Sequence, residues 1–454
     1  MSTVDGMADL PFGFSPGEDP DKPGKKDPHS GSGGSDPFGA FGMGDLGQIF
    51  TQLGQMFSSA GTVMAGGEAS GPVNYELARR VATNSIGFVA PIPATTQSAI
   101  ADAVHLAETW LDGATALPAG TSKAAGWTPA DWVDNSLQTW KRLCDPMAEQ
   151  ISTVWASSLP EEAKSMAGPL MAVMSQMGGM AFGSQLGQAL GRLSREVLTS
   201  TDIGLPLGPK GVAAILPDAV ESFAAGLEQP RSEILTFLAA REAAHHRLFS
   251  HVPWLSSQLL GAVEAYARGM QIDMSGIEEL ARDFNPATLS DPAAIENLLG
   301  QGVFEPKATP AQTQALERLE TLLALIEGWV QVVVTAALGD RIPGAAALSE
   351  TLRRRRATGG PAEQTFATLV GLELRPRKMR EAAALWERLT EAAGVDARDA
   401  IWQHPDLLPD AEDLDEPAGF IDRVIGGDTS GIDEAIAKLE ENPEDPGAGG
   451  VSDT

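Results

Sequence analysis

From residue 72 onward, apolar positions recur every three or four residues, and no run shows the alternation that marks a half-buried strand. The spacing predicts helices over 75–85, 96–111, 129–144, 147–158, 161–199 and 216–225. Further helices are predicted over 255–269, 275–283, 311–338 and 381–393, and a central one runs from 232 to the breaker Pro253. In 311–338, Leu316, Leu319, Leu323, Ile326 and Val330 mark the side that faces the core. A mainly α fold follows, a multi-helix domain over 72–425. The pattern leaves room for only a small β element, a hairpin from the short apolar pieces 203–208 and 368–374.

Gly179, Gly183, Gly187 and Gly191 repeat every four residues along one predicted helix. Such a stripe lets a second backbone approach closely, and in lipid it would suggest a dimerising span. Ser165, Ser175, Gln176, Ser184, Gln185 and Gln188 interrupt the apolarity, so the stretch reads as a tightly packed buried helix and no membrane span is assigned.

The ends differ in character. Residues 1–44 are rich in Gly, Pro, Ser and Asp and are expected to be disordered, because they bury too little apolar area to offset ordering entropy. Within 45–71, Leu46, Ile49, Phe50, Leu53, Met56 and Phe57 form a short amphipathic helix, which docks on the body, binds a protein partner or touches a membrane. The tail, 426–454, is acidic and largely disordered apart from a helical piece at 432–439.

Charge narrows the partners. A net charge of −29 over 454 residues, with a pI near 4.5, argues against nucleic acid or an anionic membrane surface. The basic run Arg353-Arg-Arg-Arg356 is the local exception; 353–360 reads as a solvated loop, with docking to the protein's own acidic surface or to an acidic partner as the alternative. Cys144 is alone, so neither an internal disulfide nor a cysteine metal cage is available; with no secretory signal pattern, a cytoplasmic protein is expected.

The candidate chemistry lies in the central helix, where three of the six histidines, His245, His246 and His251, fall within seven residues. Helical spacing predicts that Arg241, Glu242 and His245 share one side, with His246 turned about 100° from His245. The series Arg241-Glu242-Ala243-Ala244-His245 is similar to the His-Glu-x-x-His helix of zinc peptidases, with Arg at the first ligand position. Glu242-x-x-His245 also matches half of a di-iron pattern, for which the nearest second half is Asp102-x-x-His105. No nucleophile elbow and no phosphate-binding glycine loop occurs.

Four stretches together resemble one family, the type 2 zincin-like metallopeptidases, in the actinobacterial branch labelled zinc-dependent metalloprotease or hydrolase. They are Arg241–Phe249, Ser250–Leu255, Glu327-Gly-Trp-Val330 and Trp402–Pro409, within a resemblance that covers about 75–425. The resemblance implies Glu242 as general base, His245 and Glu327 as zinc ligands, Trp329 as a lining residue and a peptide or protein substrate. His246 or His251 would complete the ligand set if the helix end or the loop before Pro253 turned inward. Alternatively, the Arg241 guanidinium replaces the charge of zinc beside Glu242 and Glu327, leaving an inactive scaffold that works as a protein-binding module.

Overall fold

The computed structural model describes residues 71–157, 168–268, 309–357, 365 and 378–426, all within one compact unit, Glu68–Thr454. The expectations for 1–70, 275–283, 368–374 and the tail from 427 lie outside the described residues. In chain order the first elements are α1 (Tyr75–Ile86), α2 (Ala94–Leu111), β1 (Lys123–Gly126), α3 (Pro129–Ser157), α4 (Gly168–Leu193), β2 (Val212–Ile215) and α5 (Pro217–Ala224). They are followed by α6 (Arg231–His251), α7 (Leu255–Arg268), α8 (Pro310–Leu338), α9 (Ala345–Ala357), α10 (Met379–Ala400), α11 (Ala411–Asp415) and α12 (Pro417–Gly426).

The fold is mainly helical, as the spacing predicts, and several boundaries have local causes. Asn74 Oδ1 accepts the Leu77 N–H at 2.9 Å to start α1, which ends at Gly87 with φ 68°. A capping box of Thr309 and Gln312 opens α8. The break expected between 144 and 147 is absent: α3 runs through Pro146, because Trp140, Leu143, Cys144, Met147 and Ala148 form one buried stripe across it.

The β element differs from the hairpin expected at 203–208 and 368–374. Among the described residues it is a two-stranded parallel sheet in which Lys123 pairs with Val212 and Gly126 with Ile215. These alanine-rich pieces carry no alternating pattern and hence no strand signal. Residues 203–208 form turns instead, with Gly204 at φ 79°. On the other side of β2, the Ser200 N–H donates to the Ala214 carbonyl at 2.9 Å.

Two layers of packing position the centre. The α4 glycine stripe lies against α1, where a Cβ on Gly183 would come within 2.4 Å of the Asn74 carbonyl oxygen and one on Gly187 within 2.4 Å of that of Ala78. Helix α8 is the core helix, packed by α6, α7 and α10. It is long and apolar enough to span a membrane by length and composition, but 78% of its most apolar window is buried here. Beneath it Trp402 stacks on Trp254 and Trp386 and meets Trp329 edge-on.

Gly183→Ala is expected to lower stability by about 1–3 kcal/mol through overpacking, outweighing a helix-propensity gain of about 1 kcal/mol. A Cβ on Gly178 meets open space, so Gly178→Ala should be neutral or stabilising. Urea midpoints at unchanged m-value check both.

Candidate functional site

Helix α6 is buried on nearly all sides, so its polar residues must find partners within the protein. It divides them between two faces. Arg241 and His245 turn towards α8, whereas Glu242 and His246 turn towards β2 and the loop at 199–202. Glu242 therefore leaves the side it was expected to share with Arg241 and His245. It lies about 60° from His245 but about 40° from His246 around the helix, and the hydroxyls of Ser200 and Thr201 decide the direction.

The first face centres on Glu327 of α8, whose side chain is 2% exposed. Its Oε2 accepts from Arg241 Nη2 at 2.6 Å and pairs with Arg356 Nη1 at 2.5 Å, and its Oε1 lies 3.1 Å from His245 Nε2. His245 Nδ1 lies 2.8 Å from the Arg241 carbonyl oxygen, which can only accept. Both ring nitrogens thus face oxygen acceptors.

Burial by itself raises the pKa of Glu327, but Arg356, His245 and Arg241 reverse this and hold it well below the usual carboxylate range. Burial presses the Arg241 pKa down against the pull of Glu327. For Arg356, Glu327 and Asp202 outweigh burial and raise it. Gly204, at φ 79°, lets its loop pass over the carboxylate: a Cβ there would lie 3.3 Å from Oε1.

Over 353–357 the chain is helix rather than solvated loop, and its arginines dock on the protein's own acidic groups; 358–360 lie outside the described residues. Arg353 to Arg356 continue α9, where Glu350 pairs with Arg353 and Arg354, and the last turn reaches inward. The Arg356 guanidinium bridges Glu327 and the Asp202 backbone carbonyl, and Arg355 bonds the Glu196 carbonyl. Four consecutive arginines in an acidic chain were the signal for this role; Ser200, Thr201, Asp202 and Gly204 had none.

On the second face Glu242 is fully buried and accepts five hydrogen bonds. They come from Ser200 Oγ, from Thr201 Oγ1 at 2.5 Å and its N–H at 3.2 Å, from the Ala214 N–H at 3.1 Å, and from His246 Nε2 at 3.2 Å. Burial raises its pKa, but His246 and the two hydroxyls together bring it down to about 2. The carboxylate holds β2 and the 199–202 loop against α6.

The remaining expected residues lie apart from Glu327. Trp329 points to the opposite side of α8, where its Nε1 donates to Asp399 at 2.8 Å. Asp399 also holds Arg398 at 2.7 Å and Thr115 at 2.5 Å. His251 is exposed and donates to the Ala119 carbonyl at 3.1 Å, beyond the buried Arg247, which binds Glu108 and Asp112. His404 is exposed at a turn, and Asp102 and His105 lie exposed on α2, apart from α6.

The donor set does not fit zinc. His245 Nε2 and Glu327 Oε1, 3.1 Å apart, have the separation of two ligands on one tetrahedral ion. Among the described residues no third donor faces them: Arg241 holds the first ligand position, His246 is engaged by Glu242, and His251 bonds the Ala119 loop. Among the described residues no three His, Cys, Asp or Glu side chains are grouped to hold a metal.

The sequence pattern of zincin-like metallopeptidases matches residues 73–421, most of the chain. The chain belongs to the zincin-like metallopeptidase family. A solved structure from Chloroflexus aurantiacus, described as a candidate hydrolase with a novel fold, superposes with a TM-score of 0.55 at 18% identity. The match covers 77% of this chain and 98% of that one, and at this identity it shows a shared fold. No protein with a curated description matches. Zincin-like proteins typically bind zinc, and this member carries two arginines at the place where its helices meet.

The depressed pKa of Glu242 sets a pH dependence. A folded value of about 2 against an ordinary 4.5 contributes about 3 kcal/mol, complete above pH 4.5 and lost as pH falls towards 2; Glu327 acts in the same direction. Glu242→Gln should cost about 3–5 kcal/mol at neutral pH and make the acid decline shallower. Chemical denaturation across that pH range reads this, and an equally steep decline in the variant would count against the assignment.

Proposed function

We propose that this zincin-like protein is a non-hydrolytic scaffold that works by binding a ligand or a protein partner. The observation that carries the reading is the state of Glu327: two guanidiniums and an imidazole occupy the carboxylate that would serve as a zinc ligand. Arg241 supplies permanent charge where the family motif needs a neutral imidazole. Glu242 supports the same reading, since a carboxylate with a pKa of about 2 and five hydrogen bonds is a weak general base at neutral pH. The lone buried Cys144 suits the reducing cytoplasm in which we place the protein.

A second reading keeps zinc-dependent peptide hydrolysis, with Glu242 as base and His245 and Glu327 as ligands. It is favoured by the 3.1 Å separation of His245 Nε2 and Glu327 Oε1, and by the Nδ1 anchor on the Arg241 carbonyl, which resembles the outer-sphere hydrogen bond of metal-bound histidines. It requires Arg241 and Arg356 to leave Glu327 and a third donor to arrive. Each charge-assisted hydrogen bond broken on the way costs about 1.5–3 kcal/mol.

Cleavage of a mixed peptide library, with zinc supplied, separates the two. The scaffold reading expects no cleavage above that of His245→Ala, while Arg241→His combined with Arg356→Ala should gain zinc binding. Zinc-dependent cleavage by the wild type that disappears in Glu242→Gln would overturn it in favour of the peptidase.

A further inference from the structure

Beside Arg241 the groove between α6 and α8 opens into a cavity of about 540 Å³, bounded on its outer side by α9 and the turn before it. That volume falls in the range of small-molecule sites, about 300–1,000 Å³. Phe237, Val334, Leu338 and Ile342 supply apolar walls, and the cations Arg241 and Arg353 line it as well.

Both cations have spare donors. Arg241 spends Nη2 on Glu327, while its Nε and Nη1 have no hydrogen-bond partner among the described residues. Arg353 pairs with Glu350, yet its Nε is buried without a partner. Buried donors are rarely left unmet in folded proteins, and a guanidinium edge matches a carboxylate in a two-point fork.

We propose that this cavity binds a small organic monocarboxylate with an apolar body, its carboxylate held by Arg241 and Arg353 and its body against Phe237, Val334, Leu338 and Ile342. The proposal rests on the scaffold reading, because a zinc site would require Arg241 to move. The Glu350 and Glu387 carboxylates also line the cavity and select against a doubly charged head such as a phosphate monoester. Helix α9 couples the cavity to the centre, since Arg353 lines the one and Arg356 reaches the other.

The test is calorimetric titration of the full chain with decanoate, decanol and decyl phosphate, on a preparation whose zinc content has been measured. Decanoate should bind one per chain, at least about tenfold more tightly than either analogue, and Arg241→Gln and Arg353→Gln should each weaken it by about tenfold or more. Ala346→Phe, which fills the cavity without touching a charge, should abolish binding and keeps the test valid if Arg241→Gln does not fold. Zinc-free protein that ignores decanoate, binds decanol equally well, or keeps its affinity in both arginine variants would overturn the site alone. Protein that carries zinc would overturn the scaffold reading and the site with it.

Discussion

A buried carboxylate on a core helix is the constraint around which the rest is arranged. Removing a carboxylate from water costs several kcal/mol unless cations and hydrogen bonds meet it on site, and Glu327 sits in the middle of α8 with a side chain 2% exposed. A zincin fold meets such a group with a metal ion; here Arg241, Arg356 and His245 meet it from two helices. The charge balance is thereby built into the chain. It ties together α6, α8, α9 and the loop that carries Asp202 and Gly204, segments far apart in sequence.

The second buried carboxylate shows why similarity to a catalytic motif does not settle a role. Glu242 holds the general-base position of the motif, yet its oxygens organise the edge of β2 and the 199–202 loop. The 40° between Glu242 and His246 around the helix makes them a natural pair, as Arg241 and His245 are on the next face. One α6 surface thus serves the centre at α8, and the adjacent one anchors the sheet.

Much of the helical fold was legible because amphipathic spacing and caps are local properties. The glycine stripe of α4 even announced the close approach of α1, although not its identity. The sheet was not legible: two four-residue, alanine-rich pieces have no period of their own, and only the tertiary fold brings Lys123–Gly126 beside Val212–Ile215. At the centre, the motif marked Arg241 and His245, the family resemblance added Glu327, and the structure brings the three together. Arg356 was read as solvated because a run of like charges usually is; the acceptors that draw it inward lie some 30 and 150 residues away. Trp329, two residues from Glu327, necessarily faces the other side of its helix, where Asp399 receives it.

The replacement of metal charge by guanidinium charge is most directly tested by elemental analysis of the untagged protein after incubation with zinc and removal of excess ion, with His245→Ala and Glu327→Gln alongside. The account predicts no stoichiometric zinc in any of the three. About one zinc per chain in the wild type, lost in both variants, would contradict it and show that a third ligand reaches the centre once the arginines withdraw.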